Sequence, residues 1–431
     1  MAKQIHSTDP EELQSIRLLT FNTWGLKYVS KHREERLRAI ADRLADPETD
    51  EDNYHVVALQ EVWCESDWAY FDAVCRSNYP YRRIFKSGII TGPGLAILSK
   101  IPIDETFLYR FPVNGRPSAF FRGDWFVGKS LAVTLLKPHT SNAIPLALLN
   151  SHMHAPYAQS GDASYSTHRA CQAWDLSKVV KTLTKAGYAV IQVGDLNSKP
   201  GSLPYKLFTI EGGLTDSWDV LNESNPISSV ELSQMSPYDQ IMKGGITCDS
   251  QLNTWRATRR LDEACRLDYA LIDSNLIRPI GAKVKFTETL PPPLNCSYSD
   301  HFAFSADLLI SNQNESFGGK HDRIPEKFEI YHELQSEIQK YRNETIPYQS
   351  NWRKWHFLLS LIVVILIHVG ITWAAIRQPW SPVLLSLLST VVGITGVING
   401  MIWYFGIRSE SRALQEVQLE VEDKLFSLKN E

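Results

Sequence analysis

The sequence carries no excess of positive charge. Across 431 residues, 44 Lys and Arg stand against 48 Asp and Glu, a formal net charge of −4. A protein that grips nucleic acid in general needs a basic stripe to neutralise phosphates, so that class is disfavoured. Cysteine is sparse: only Cys64, Cys75, Cys171, Cys248, Cys265 and Cys296 occur. The first residues, Met-Ala-Lys-Gln-Ile-His, lack the apolar core of a secretory signal. No internal repeat is present.

What is there is a series of short apolar runs that stop at polar residues. Ala189-Val190-Ile191-Gln192-Val193 reads as a buried strand, halts at Gly194 and presents Asp195 and Asn197. Carboxylate and carboxamide oxygens suit a hard metal ion and phosphate chemistry; turns use the same residues. The design recurs. Leu18–Phe21 runs into Asn22, Val56–Leu59 into Gln60 and Glu61, and Leu146–Leu149 into Asn150, Ser151 and His152. Asp268 opens a run to Ile272, and Asp300-His301 opens Phe302 to Ile310. Many short strands with helices between them predict packed sheets. Where neighbouring strands run in opposite directions, strand ends and strand starts meet at one edge. That edge can gather Asn22, Glu61, His152, Asp195, Asn197, Asp268, Asp300 and His301. Taken singly, each also has an ordinary role as a turn residue, a helix-start charge or a hydrogen-bonded side chain.

The ordered set resembles the endonuclease/exonuclease/phosphatase superfamily of metal-dependent phosphodiesterases and phosphomonoesterases, over roughly residues 15–310. The resemblance implies a four-layer α/β/β/α sandwich and a Mg²⁺ cofactor, with Mn²⁺ as a substitute. It implies Glu61 as principal metal ligand with Asn22 and Asp300 beside it. His301 is then the base, oriented by Asp268, and His152 stabilises charge across the phosphate. Asp195 and Asn197 position the water and the phosphoryl oxygens. The chemistry agrees with these roles, because an imidazole titrates near neutrality and phosphodiester hydrolysis depends on charge neutralisation.

Longer segments narrow the branch. Leu19–Arg33, Leu59–Trp63, Gly123–Lys129, Asn150–Ala155 and Cys171–Trp174 resemble neutral sphingomyelinases. They look most like the fungal phospholipases C that act on inositol phosphosphingolipids. This implies a sphingolipid substrate, release of ceramide and a phosphorylated head group, and anionic phospholipids as activators. An endonuclease or a phosphoinositide phosphatase is the rival on the same scaffold; a non-enzymatic membrane tether is a third reading. Gly123–Ser130 also fits the nucleotide P-loop pattern. A P-loop opens a helix, whereas Leu131–Leu136 alternates as a strand and Trp125 and Phe126 crowd the cradle. Asp124 and Lys129 are instead expected to bind or gate the head group. His154 and His168 are read as structural. Phe107, Tyr109, Phe111, Phe120 and Phe121, interleaved with Arg110, Arg116 and Arg122, fit either a lipid interface or an ordinary sheet.

The remaining signal is hydropathy. Residues 357–376 are almost wholly apolar, with His368 as the one titratable group, and 383–407 are uncharged. Each is long enough for a bilayer core of about 30 Å. Joined by 377–382, they read as a transmembrane hairpin, with Trp352, Trp355, Trp373, Trp380 and Trp403 near the ends. Gly396 and Gly400 suit close helix packing. Arg353, Lys354, Arg408 and Arg412 flank the hairpin while its loop has only Arg377, which places both outer ends in the cytosol. The cysteines are then reduced thiols, and the sequons at Asn222, Asn295, Asn314 and Asn343 stay unmodified. Fungal relatives suggest the endoplasmic reticulum and mitochondria. The expected organisation is a tail (1–14), a catalytic domain (15–310) with loops at Asn222–Ser236 and Pro291–Pro293, and a linker (311–325). A juxtamembrane helix (326–355), membrane helices (356–377 and 383–407) and an amphipathic helix (408–431) follow. The flanking helices carry apolar stripes that could pair antiparallel as a short stalk or build a homodimeric coil.

Overall fold

The computed structural model describes residues 14–138, 143–224, 226–311, 317–318 and 324–430; the expected tail up to residue 13, and residues 312–316 and 319–323 of the expected linker, lie outside the described residues. Twelve strands form two six-stranded sheets. The strands are β1 (Gln14–Asn22), β2 (Val56–Gln60), β3 (Tyr81–Ile84), β4 (Ala96–Ser99), β5 (Ile103–Arg110) and β6 (Ser130–Leu136). They continue with β7 (Leu146–His152), β8 (Ala189–Asp195), β9 (Thr215–Asp216), β10 (Asp268–Ile272), β11 (Ile277–Lys285) and β12 (Ala303–Ile310). One sheet has the order β11-β12-β1-β2-β4-β3, the other β5-β6-β7-β8-β10-β9. Each contains one parallel pair, β1/β2 or β7/β8, among antiparallel neighbours.

Side-chain alternation assigns the layers. Ile16, Leu18, Val56 and Ala58 face Leu148, Ile191, Val193 and Ala270 in a core between the sheets. The odd-facing residues Leu19, Phe21, Val57 and Leu59 pack outward against Leu37, Ile40 and Leu44 of helix Arg33–Ala45. On the other side, Val133, Leu149, Val190 and Leu271 meet Cys171, Trp174 and Val180 of helix Ser166–Lys185. Central strands covered on both faces read as near-continuous apolar runs. The result is the expected α/β/β/α sandwich.

Three details differ from the sequence reading. The stretch expected as a loop from Asn222 contains helix Ser229–Gln234, started by a capping box between Ser228 and Glu231. The chain from Ile324 to Arg377 is a single helix that passes through Pro347. And the flanking helices make no free stalk. They do pair antiparallel: Gln335 donates to Glu422, and Tyr341 to Glu410 twelve residues earlier. But Ile330, Leu334, Ile338, Leu414, Val417 and Val421 are buried in the same core as Trp174. Helix Ser166–Lys185 offers a third apolar face, so the stripes are covered within the chain.

Beyond this layer, the end of helix Ile324–Arg377 and helix Ser381–Met401 pack as a hairpin. A Cβ on Gly396 would collide with Ser360, and one on Gly400 would meet the Phe357 ring at 2.8 Å. Only 6% of the most apolar window of the first helix is buried, and 11% of the second. The core helix of a soluble protein would instead be covered.

Candidate active site

Strand register sets the first three residues. His152 on β7 is paired with Asp195 on β8, and Asp195 with Asp268 on β10. Directly opposed residues share a face, so the three form one row at the sheet edge. Gly194 makes the row possible. Its φ is +123°, and a Cβ there would strike the Ser151 carbonyl. In the other sheet Asn22 pairs with Gln60, and the chain then turns through Glu61 at φ +61°. Asn197 has φ +46°. Asn tolerates this left-handed region, whereas Glu rarely enters it; such strain concentrates at functional sites.

The two sheets deliver these groups to one cluster. Asn22 Nδ2 donates to Glu61 Oε1 and to Asp195 Oδ2, both at 3.0 Å. The Trp63 indole donates to Glu61 Oε2 at 3.3 Å. His152 Nε2 lies 3.5 Å from Asp195 Oδ2 and 3.9 Å from Glu61 Oε1. His301 Nδ1 is 2.9 Å from Asp268 Oδ2, and its Nε2 lies 3.5 Å from Cys248 Sγ and 3.8 Å from Asp195 Oδ2. Asn197 donates its amide N–H to Asp195 Oδ1 at 3.0 Å and its Nδ2 to the Met153 carbonyl at 3.1 Å. Asp300 is held by Arg256 at 2.5 Å. Asn22 thus presents nitrogen to both carboxylates, while its Oδ1 accepts from Trp24 N at 3.0 Å and keeps a second lone pair.

Burial makes the cluster electrostatically tense. It raises Glu61 above the usual carboxylate range, and the charge of Asp300 adds to the effect. Burial, with Asp268, pushes Asp195 up to about 7. His152 is driven well below neutrality by burial and by the charge of Lys129, so it is neutral. Burial opposes charge on His301 too, but Asp268 and Asp195 hold its imidazole well above its ordinary value. Cys248 does not supply that charge, since its hydrogen bond to Cys265 and its burial keep it a neutral thiol. Asp195, Asp268 and His301 each offer a ligand atom, all within 4.8 Å of one another. Asp268 Oδ1 and His152 Nδ1 are buried without a partner. Crowded, dehydrated carboxylates suit a divalent metal ion, and Glu61, raised by burial and by the nearby charge of Asp300, shows the same crowding.

Asp124 and Lys129 stand to one side and meet at 3.4 Å. Tyr157 donates to Asp124 Oδ2 at 2.6 Å, and His154 Nε2 lies 3.7 Å from the same oxygen. His154 thus supports this loop and stacks on Tyr165 at 3.9 Å. The charge of Lys129 reaches both Glu61 and His152. The loop is followed by strand β6, as the alternation predicts. His168 is buried in helix Ser166–Lys185 and bonded to Glu410 at 2.9 Å.

Sequence reasoning missed the supports. Gln60 donates to Asn150 Oδ1 at 2.8 Å, and Asn150 donates to the Leu59 and Ala96 carbonyls at 3.1 and 3.2 Å. This buried clamp ties the sheets together under the site. Arg36, fully buried, donates to the carbonyls of Lys31 and Trp24, both at 2.9 Å, and of Tyr298 at 2.6 Å. It fixes the loop after β1 to the one before Asp300. The available signal was a polar residue within an apolar period: Gln60 and Asn150 at strand ends, and Arg36 beside Leu37 and Ile40.

The profile of the endonuclease/exonuclease/phosphatase family matches residues 19–301, from the first site strand to His301. The chain belongs to this family. Among its relatives, the Saccharomyces cerevisiae inositol phosphosphingolipids phospholipase C is 50% identical, over 96% of this chain and 91% of its own. The Schizosaccharomyces pombe protein of the same name is 35% identical, over 90% and 89%. Human sphingomyelin phosphodiesterase 2 is 37% identical, over 68% and 64%. As a member of the family with these relatives, the chain is a phosphodiester hydrolase.

Proposed function

We propose that the chain is a membrane-anchored, Mg²⁺-dependent phospholipase C that cleaves inositol phosphosphingolipids, and sphingomyelin as a second substrate, to ceramide and a phosphorylated head group. The observation that carries the substrate class is the 50% identity to the Saccharomyces cerevisiae enzyme across nearly the full length of both chains.

Glu61, Asn22 and Asp300 would hold the metal, with Asn22 also fixing the Glu61 carboxylate; a bound divalent ion supplies positive charge to the phosphoryl oxygens. The chain's own groups do the rest. In its neutral form, which a divalent positive charge beside these carboxylates would favour, His301 takes the proton of the attacking water at Nε2, and Asp268 orients the ring and supports its charge through Nδ1. Asp195 and Asn197, locked together, position water and a phosphoryl oxygen. His152, neutral and across the cluster, is placed to donate a hydrogen bond to that phosphate. Asp124 and Lys129 bind or gate the head group. The hairpin spans the bilayer with both outer ends cytosolic, and anionic phospholipids act as activators. The endoplasmic reticulum and mitochondrial membranes are the proposed locations.

Purified full-length protein should be incubated with Mg²⁺ in mixed micelles holding inositol phosphosphingolipid or sphingomyelin, and separately with DNA and inositol polyphosphate. Ceramide release is the expected result. DNA cleavage or inorganic phosphate release without ceramide would sink the proposal.

A further inference from the structure

Two loops of the sandwich expose an apolar patch that the chemistry above does not use. One carries Ile89 and Ile90, 70% and 62% exposed; the other carries Phe120 and Phe121, 62% and 101% exposed. They form one surface. The Phe126 carbonyl accepts from the backbone N–H of Ile89 at 2.8 Å and of Ile90 at 3.4 Å. The backbones of Gly88 and Gly128 touch, and the Phe120 ring lies edge-on to Phe121 and Phe126 at 5.7 and 5.2 Å. Lone apolar residues on a surface need no explanation, whereas a contiguous group marks an interaction site.

The patch also has a defined place. Pro117, three residues before Phe120, touches the second apolar helix: a Cβ on Gly406 would lie 2.8 Å from Pro117 Cγ. Gly406 closes the uncharged run 383–407. The neighbouring Arg116 is close enough for its charge to act on Arg353, just before the first apolar run. The loop therefore meets the ends of both apolar helices on one side. Phe121 lies four positions beyond Pro117, at most about 14 Å of chain. The interfacial zone on each side of a bilayer core is about 5–8 Å deep, a depth within the reach of this loop.

We propose that Ile89, Ile90, Phe120 and Phe121 form a docking rim that inserts into the leaflet entered by the hairpin. The inference rests on the membrane-anchored reading above. Continuity with the helix ends at Gly406 and Arg353 selects a bilayer over a second copy of the chain. The rim carries helix Asp124–Val127 between its exposed rings and β6, so docking sets the loop that holds Asp124 and Lys129 against the bilayer surface. Of the aromatic stretch before β6, Phe111 belongs to the core, and only its end serves the interface.

The test uses the full chain in proteoliposomes of phosphatidylcholine and phosphatidylserine. Five cysteines are buried and Cys64 is half-buried, so a Cys64→Ser background accepts single nitroxide labels at Phe121→Cys and Ile90→Cys. Phe426→Cys, about 27 Å along the C-terminal helix from Arg408, is the aqueous control. Labels at 121 and 90 should be relaxed by oxygen and shielded from a water-soluble nickel chelate, and the control should show the reverse. Chain retained in carbonate-washed vesicles with water-exposed labels at 121 and 90 overturns the rim alone. Chain lost from the vesicles overturns the anchored reading and the rim with it. Shielding that appears in detergent only as protein concentration rises assigns the patch to self-association and also overturns the rim. In parallel, Phe121→Asp with Ile90→Asp should lower ceramide release from vesicles about tenfold and leave hydrolysis of a short-chain, dispersed substrate unchanged. Equal loss on both substrates counts against docking.

Discussion

At the scale of single residues, Asp195 carries the most crowded environment: Asn22, His152 and His301 all lie within 3.8 Å of its Oδ2. An aspartate titrates at about 3.9 in an unfolded chain and at about 7 here. Its contribution to stability is thus fully present below about pH 4 and is lost as pH rises through about 7; Glu61, also raised, acts in the same sense. Chelator-treated protein should melt at a lower temperature at pH 8 than at pH 5.5, and Mg²⁺ should recover more of the melting temperature at pH 8. An equal Mg²⁺ increment at both pH values would remove this cluster as the metal site. His301→Ala should lower kcat by about 10²–10⁴-fold while Mg²⁺ binding by calorimetry persists. Glu61→Ala should lose activity that excess Mg²⁺ partly restores, and a Mg²⁺ titration of turnover distinguishes the two. The residues at strand ends were legible because each interrupts an apolar run. The partners of Arg256 and Arg36 were not, because they lie 44 and up to 262 positions away; the period around Arg36 marks it as buried without saying what it bonds.

At the scale of elements, the sandwich was legible wherever alternation and burial agree. β2 and β8 show up as apolar runs because both of their faces are covered. What the pattern left open was the partner of each amphipathic helix. The stripe Ile330, Leu334, Ile338 has the same spacing whether it meets one helix or two, so a stalk and an added layer look alike from sequence. Helix Ser229–Gln234 was readable from Ser228 and Glu231 and was obscured by the Pro, Ser and Asn around it. The Gln60–Asn150 clamp gives a test at this scale. Asn150→Leu removes the acceptor of Gln60 and the donor to two strands, leaving buried polar groups unpaired at about 1–3 kcal/mol each. Thermal melts should fall by several degrees, with kcat reduced through displacement of Glu61 and His152. An unchanged melting temperature would show that the sheets are held together without it.

For the molecule as a whole, the C-terminal helix belongs to the catalytic body as well as continuing the second apolar helix. Leu414, Val417 and Val421 are buried against Ile330, Leu334 and Trp174, and Glu410 bonds both His168 and Tyr341. Removing residues 408–431 should therefore cost stability and activity even on a dispersed short-chain substrate. Replacing 356–407 by a flexible linker should spare that activity and reduce ceramide release from vesicles; equal behaviour of the two variants would show the helix to be a passive tail. The helix Ile324–Arg377 runs its 54 residues without a break, one end packed on the sandwich and the other in the proposed membrane span. On the anchored reading the site stays at one surface, encounters with substrate become a two-dimensional search, and velocity should follow the mole fraction of sphingolipid in that one leaflet instead of its amount in the suspension.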